Sequence, residues 1–173
     1  MGSDIERARK NQQSEIEFLN EIGFEAEALD LKDYFHQEDK LRKKLDDLGA
    51  LWVAGGNTFV LRMAMNISGF DNIFLDLMKR DDFLYGGYSA GICVLSKSLK
   101  SIDMVDDPNN FPYKEISQPI YEGLGVFEYS FMPHYDSDHF ESEAVGKEIQ
   151  RCIEIRLWTE EIRELGNSVN PSI

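Results

Sequence analysis

An apolar run that breaks into glycines occurs twice in this chain and constrains its fold more than any other feature. Ala50-Leu51-Trp52-Val53-Ala54 is apolar throughout and ends in Gly55-Gly56-Asn57-Thr58. A helical stretch follows, with Phe59, Leu61, Met63 and Met65. Phe83-Leu84-Tyr85 leads in the same way into Gly86-Gly87-Tyr88-Ser89-Ala90-Gly91 and a second helix start. A short continuous apolar run suits a strand covered on both faces of a parallel sheet. Strand, glycine turn and helix in alternation predict an α/β fold with a largely parallel sheet.

The remaining segments fit that frame. Residues 4–22 read as a helix, with Ile5, Ala8, Ile16, Leu19 and Ile22 near a helical period and Gly23 as its stop. Phe24 to Leu31 alternates and reads as a strand, and residues 38–48 read as a helix closed by Gly49. A further helix is expected near 70–80. Val126 to Met132 alternates like a strand and ends at Pro133-His134-Tyr135. Prolines crowd between Pro108 and Pro133, so most of that region reads as loop. Residues 141–165 read as one long helix, with Val145, Ile149, Ile153 and Leu157 on a stripe. At 173 residues the expectation is a single domain over 1–173. In such folds ligands bind at the carboxyl ends of the strands. Gly55–Thr58, Gly87–Gly91 and Pro133–Tyr135 are all expected there.

Charge and composition exclude several classes. Lys plus Arg number 18 against 32 Asp plus Glu, a net charge of −14, which repels phosphate backbones and argues against nucleic acid. The tight basic run Lys40, Arg42, Lys43 and Lys44 is flanked by acids and reads as a solvated helix face. No run of 18 apolar residues exists, so no membrane span is expected, and Met1 to Arg7 lacks the apolar stretch of a secretory signal. Cys93 and Cys152 are too few for a disulfide framework or a cysteine zinc site, which makes a reduced, cytoplasmic setting the expectation.

The chemistry concentrates in Gly87-Tyr88-Ser89-Ala90-Gly91, which fits G-x-S-x-G. A strand that turns sharply into a helix presents a serine at its apex, and flanking side chains would collide there. The helix start aims N–H groups at an anion forming beside the hydroxyl. A serine hydroxyl needs a base. Of three histidines, His134 directly follows an apolar run at the expected site edge and is the leading base. His36 reads as surface. His139, among Asp136, Asp138 and Glu141, reads as a solvated loop residue. A carboxylate to orient the base could come from Asp103, Asp106 or Asp107, in the Ser–Asp–His order of α/β-hydrolases. Asp136 and Asp138 share the histidine's loop and read as solvated. The amide of Ala90 is one oxyanion donor, and Gly55-Gly56 can supply a second, with Asn57 or Thr58 capping the next helix. A nucleotide phosphate loop is excluded, since neither G-x-G-x-x-G nor G-x-x-x-x-G-K-[ST] is present.

Taken in order, Ala54-Gly55-Gly56-Asn57-Thr58-Phe59, Gly86 to Gly91, Asp103-Met104 and Met132-Pro133-His134-Tyr135 resemble the peptidase S51 family over about residues 15–160. That family includes peptidase E (α-aspartyl dipeptidase) and cyanophycinase. The resemblance implies a class I glutamine-amidotransferase-like (flavodoxin-like) α/β fold, a three-layer sandwich with serine where the amidotransferases use cysteine. It implies Ser89 as nucleophile, His134 as base, and the amides of Gly56 and Ala90 as the oxyanion hole. The acid falls best on Asp103, with Asp106 or Asp107 as alternatives. Cys93 lies in the helix after the elbow and reads as packing. The chain departs from the family pattern in opening at a helix rather than at strand, loop and strand, and in lacking strands after the last long helix, so open sheet edges are expected. The arginine that reads a substrate aspartate in peptidase E has no clear match, and Lys147 is the nearest substitute. Aspartyl specificity is therefore not expected.

The leading functional expectation is a serine peptidase that cleaves small peptides through a Ser–His–Asp triad and an acyl-enzyme. The alternatives are a catalytically inactive member acting as a binding or oligomerising module, and an α/β-hydrolase-type esterase. A small peptide is the expected substrate and a homodimer the candidate assembly. No cofactor or metal is expected.

Overall fold

The computed structural model describes residues 2–151. Helix α1 spans Gly2–Glu21 and ends where expected, with Gly23 at a φ of 102° that favours glycine. Residues 24–30 run extended and close into a 3-10 turn at Leu31–Tyr34, where the Asp30 carboxylate accepts from the Lys32 amide at 3.0 Å. The strand expected over 24–31 is not formed. Its alternation corresponds to an extended segment with Ala26 and Leu29 half-buried, and no other backbone pairs with it among the described residues.

Helix α2, Glu38–Asp46, buries Leu41 and Leu45 one turn apart and carries acids in its first turn and Lys43 and Lys44 in its last. Its basic residues form the solvated face that was expected. Arg42 pairs with Asp76 at 3.1 Å, Lys44 with Glu27, and Lys40 stands over the Tyr34 ring.

Strands β1 (Ala50–Val53) and β2 (Leu84–Gly87) pair in parallel, with Ala50 opposite Leu84 and Val53 opposite Gly87. Helices α3 (Thr58–Ser68) and α4 (Phe70–Leu77) form the crossover that parallel pairing requires. Gly69 joins them at a φ of 78°, donating its N–H to the end of α3 and opening α4. The main core gathers Leu41, Leu45, Met65, Phe70, Ile73, Phe74, Leu77, Val94 and Leu95. Beside it, buried Arg62 grips Asp71 with two bonds of 2.8 Å and donates to the Glu122 carbonyl at 2.7 Å.

After β2 comes the short helix α5, Ala90–Cys93. Phe59, Met63, Cys93, Leu99 and Ile102 make a second cluster. The long connection that follows is loop, as its prolines imply, and it touches the body through a bridge of Ser96 with Phe127 and one of Ser98 with Glu122. The strand expected over 126–132 is reduced to that single bridge at Phe127. The alternation there serves an aromatic cluster instead: Phe127, Tyr129 and Phe131 have ring centroids 5.2–5.4 Å apart. A helix, α6, begins at residue 142 and continues to 151, with Val145 buried. The rest of the expected 141–165 helix, including Ile153 and Leu157, lies outside the described residues, as does Cys152.

The fold is α/β with parallel strands, as the glycine-ended apolar runs predict. Between α1, the extended segment, β1 and α3 lies a groove of about 1110 Å³, lined by Ile16, Leu19, Leu29, Leu51, Val53 and Leu61 among others. Among the described residues the second edge of β1 has no partner strand, and no helix is long and apolar enough to cross a membrane.

Candidate active site

The two glycine turns meet at one carbonyl. A Cβ on Gly87 would come within 2.5 Å of the Val53 oxygen, and one on Gly91 within 2.2 Å. The end of β1 is therefore seated between the glycines of the second turn, and any side chain at either position would displace it. Tyr88 donates its amide to the same oxygen at 3.3 Å, and the buried Tyr85 hydroxyl donates to the Gly91 carbonyl at 2.5 Å. This clamp leaves Ser89 at φ 48° and ψ −120°, a conformation a serine adopts only under constraint. The sharp strand-to-helix turn read from G-x-S-x-G is present.

Across 45 residues of sequence, the Nε2 of His134 lies 3.3 Å from the Ser89 hydroxyl oxygen. His134 also has positive φ, 66°, and follows loop rather than strand. So two of the three motifs sit at strand ends, and the third reaches the site from a loop. The amides of Ala90 and Gly56 donate to no acceptor among the described residues, and Gly56 is at φ 145°. An N–H in that state is available to an anion. A cavity of about 200 Å³ opens beside Ser89, lined by Ile92, Cys93, Phe131, Met132 and Pro133.

The expected acids have other partners. Asp103 accepts from Arg151 at 3.4 Å. Asp106 accepts the Thr58 amide at 2.8 Å, capping α3, and Asp107 accepts the Asn109 amide at 2.9 Å. Asn57 joins this arrangement, accepting from Val60 and donating to the Asp107 carbonyl. The 103–107 loop is thus fastened to the turn that carries Gly56. Among the described contacts none of the three carboxylates pairs with His134. The carboxylate nearest the imidazole is Glu141, 3.7 Å from Nε2.

His139 does not lie apart in solvent. Its ring stacks on that of His134 at a centroid distance of 3.7 Å. His139 and Glu141 are the site neighbours that sequence reasoning missed. The only sequence signal for them is their spacing of five and seven residues beyond His134. His36 is exposed and near Glu115, and Lys147 pairs with Glu143 at 2.6 Å on the surface. Cys93 is buried, and loss of solvent, with the Asp106 charge second, pushes its thiol from 9.0 up to about 12. It is packing, as expected.

A wider contact reaches the site from α1. Glu15 accepts from the Trp52 indole at 3.1 Å and from the Tyr88 hydroxyl at 2.7 Å. Burial, with that carboxylate second, raises the Tyr88 hydroxyl's pKa.

An elbow serine, an imidazole 3.3 Å from it and two amides without an acceptor among the described residues stand together on an α/β fold. The family model of peptidase family S51 matches residues 4–155, and the chain belongs to that family. It is similar to an uncharacterized peptidase of Listeria monocytogenes, 28% identical over 122 residues, 70% of this chain and 56% of that one. A corresponding peptidase of Listeria innocua is 29% identical over 123 residues, 71% of this chain and 52% of that one. The chain thus spans about half the length of these relatives. The crystal structure of a "Putative Peptidase E Protein" from Listeria monocytogenes EGD-e superposes with a TM-score of 0.66 at 26% identity, covering 77% of this chain and 62% of that one.

Proposed function

We propose that this chain is a serine peptidase acting on small peptides. The observation that carries the reading is the 3.3 Å approach of His134 Nε2 to the Ser89 hydroxyl at a strained elbow. In this mechanism Ser89 Oγ attacks the scissile carbonyl carbon while His134 Nε2 takes its proton. The carbonyl oxygen becomes an oxyanion facing the N–H groups of Gly56 and Ala90, then reforms its double bond as the C–N bond breaks. The leaving amine departs with the proton from His134. Water then attacks the acyl-enzyme with His134 again as base, releasing the acid and free Ser89. The small cavity beside Ser89 favours a small side chain on the acyl residue. A carboxylate of the 103–107 loop would have to give up its present partner to reach the imidazole, so the reaction as drawn runs on the Ser89–His134 pair.

The test is hydrolysis of a dipeptide library by the purified chain. Ser89→Ala is expected to lower the rate by about 10⁴-fold or more. Activity unchanged by that substitution overturns the assignment. A second reading, a binding or oligomerising module without catalysis, draws on the open groove beside β1. A phosphonate probe separates the two, labelling Ser89 only in an activated site.

A further inference from the structure

Beside the nucleophile stands a group of atoms that hydrolysis does not use. Glu141 Oε2 lies 3.7 Å from His134 Nε2 and 3.5 Å from His139 Nδ1. The three side chains' ligand atoms all fall within 4.8 Å of one another. The Glu141 amide donates to His139 Nδ1 at 3.3 Å, so the lone pair of that nitrogen serves another partner only when this bond opens. The Ser89 hydroxyl, 3.3 Å from His134 Nε2, donates to that nitrogen in one ring tautomer and accepts from it in the other. A carboxylate is acceptor-only. The two ring nitrogens and the carboxylate oxygen converge, and no Lys or Arg is paired with Glu141 among the described residues. A cluster of this composition takes up positive charge, as a proton on a ring or as a metal ion.

We propose that His134, His139 and Glu141 bind a zinc-class divalent ion. Two imidazoles and one carboxylate suit a borderline-soft metal better than Mg²⁺ or Ca²⁺, which take oxygen ligands. Bonds of roughly 2.0–2.1 Å in a tetrahedron hold ligand atoms about 3.3–3.4 Å apart. The two separations from Glu141 Oε2, 3.5 and 3.7 Å, are within a few tenths of an ångström of that, and the two ring nitrogens lie within 4.8 Å of each other. The two rings lie 13° from parallel, so the His139 ring must swing out of its stack to aim its lone pair at the ion. The net charge of −14 raises the local concentration of cations around the chain. This departs from the metal-free expectation of the sequence.

The consequence rests on the peptidase reading. The ion takes the Nε2 lone pair that would accept the Ser89 proton, so metal and turnover exclude each other. The site is then an inhibitory one, and its occupancy sets how much base is free.

The experiment titrates Zn²⁺ and Co²⁺ into the whole chain, with circular dichroism to check folding of each variant. The wild type and Ser89→Ala are expected to bind one ion, with the visible bands of four-coordinate Co²⁺. His139→Ala and Glu141→Gln are expected to weaken binding by at least the roughly 10–100-fold that loss of a supporting partner costs. His36→Ala is expected to bind as wild type. Equal affinity in wild type, His139→Ala and Glu141→Gln, or no Co²⁺ bands, overturns the site. Zn²⁺ is expected to slow peptide hydrolysis reversibly under a chelator, at concentrations that rise in His139→Ala by the same factor as the affinity falls. Full activity with zinc bound overturns the inhibitory role. A chain that binds the ion but cleaves no peptide leaves the site standing and removes the peptidase reading instead.

Discussion

The two sides of β1 are built to different standards. Toward β2, its Val53 carbonyl sits between Gly87 and Gly91 with no room for a methyl group, and α4 seals the layer with Phe70, Ile73, Phe74 and Leu77. Toward α1, the same strand faces a groove of about 1110 Å³, and the helix is held to it by one carboxylate gripping Trp52 and Tyr88. Ser89 belongs to the tight side. A strained serine needs neighbours that over-determine it, and only close packing supplies them.

The contrast can be broken at its tight end first. Gly91→Ala puts a Cβ 2.2 Å from a backbone oxygen. It is expected to destabilise the chain by more than about 4 kcal/mol and abolish turnover, read by urea unfolding and peptide hydrolysis. Phe74→Ala empties the core under β2 and should cost about 3–5 kcal/mol by the same unfolding measurement. Asp71→Asn strips the buried Arg62 of its bidentate partner, with an expected loss of about 3 kcal/mol. On the groove side, Glu15→Gln should cost about 1 kcal/mol or less and red-shift or quench the emission of Trp52. A large loss there would mean that α1 is as integral as α4.

A pH series sharpens the same comparison. The buried Cys93 thiol is raised in the folded chain from 9.0 to about 12, so the unfolded chain releases its proton first. Its contribution is whole below about pH 9 and is lost as pH climbs toward 12. In a Cys152→Ser background, Cys93 is expected to react with a thiol reagent at pH 8 only as fast as the chain opens, measured against full reactivity in urea.

The tight side was the legible side. Glycines that end apolar runs are read correctly because the reason for them is local: each marks a backbone contact a Cβ would prevent. The alternation at 24–31 and 126–132 misleads because period two records which side chains turn inward, while a strand also needs a second backbone alongside. At 127, 129 and 131 the inward side chains are three aromatic rings that satisfy each other. His134 was singled out because it follows the alternating run at 126–132, which forms no strand, and through the resemblance carried by Met132 to Tyr135. His139 and Glu141 were not, since a turn of irregular loop brings them back over the imidazole, and no periodicity encodes such a turn. Asp106 reads as an acid near the site, and its carboxylate instead closes the first turn of α3.

The Val53 oxygen has one more consequence. The position of the serine is written 36 residues upstream, in a strand end that carries no reactive group. The side chain at residue 89 takes no part in that contact, which is made by the backbone of Gly87, Gly91 and Val53. The location cannot be exchanged, because moving the apex means moving β1. Variation at residue 89 therefore changes what stands at the apex, and variation at Gly87 or Gly91 changes whether there is an apex.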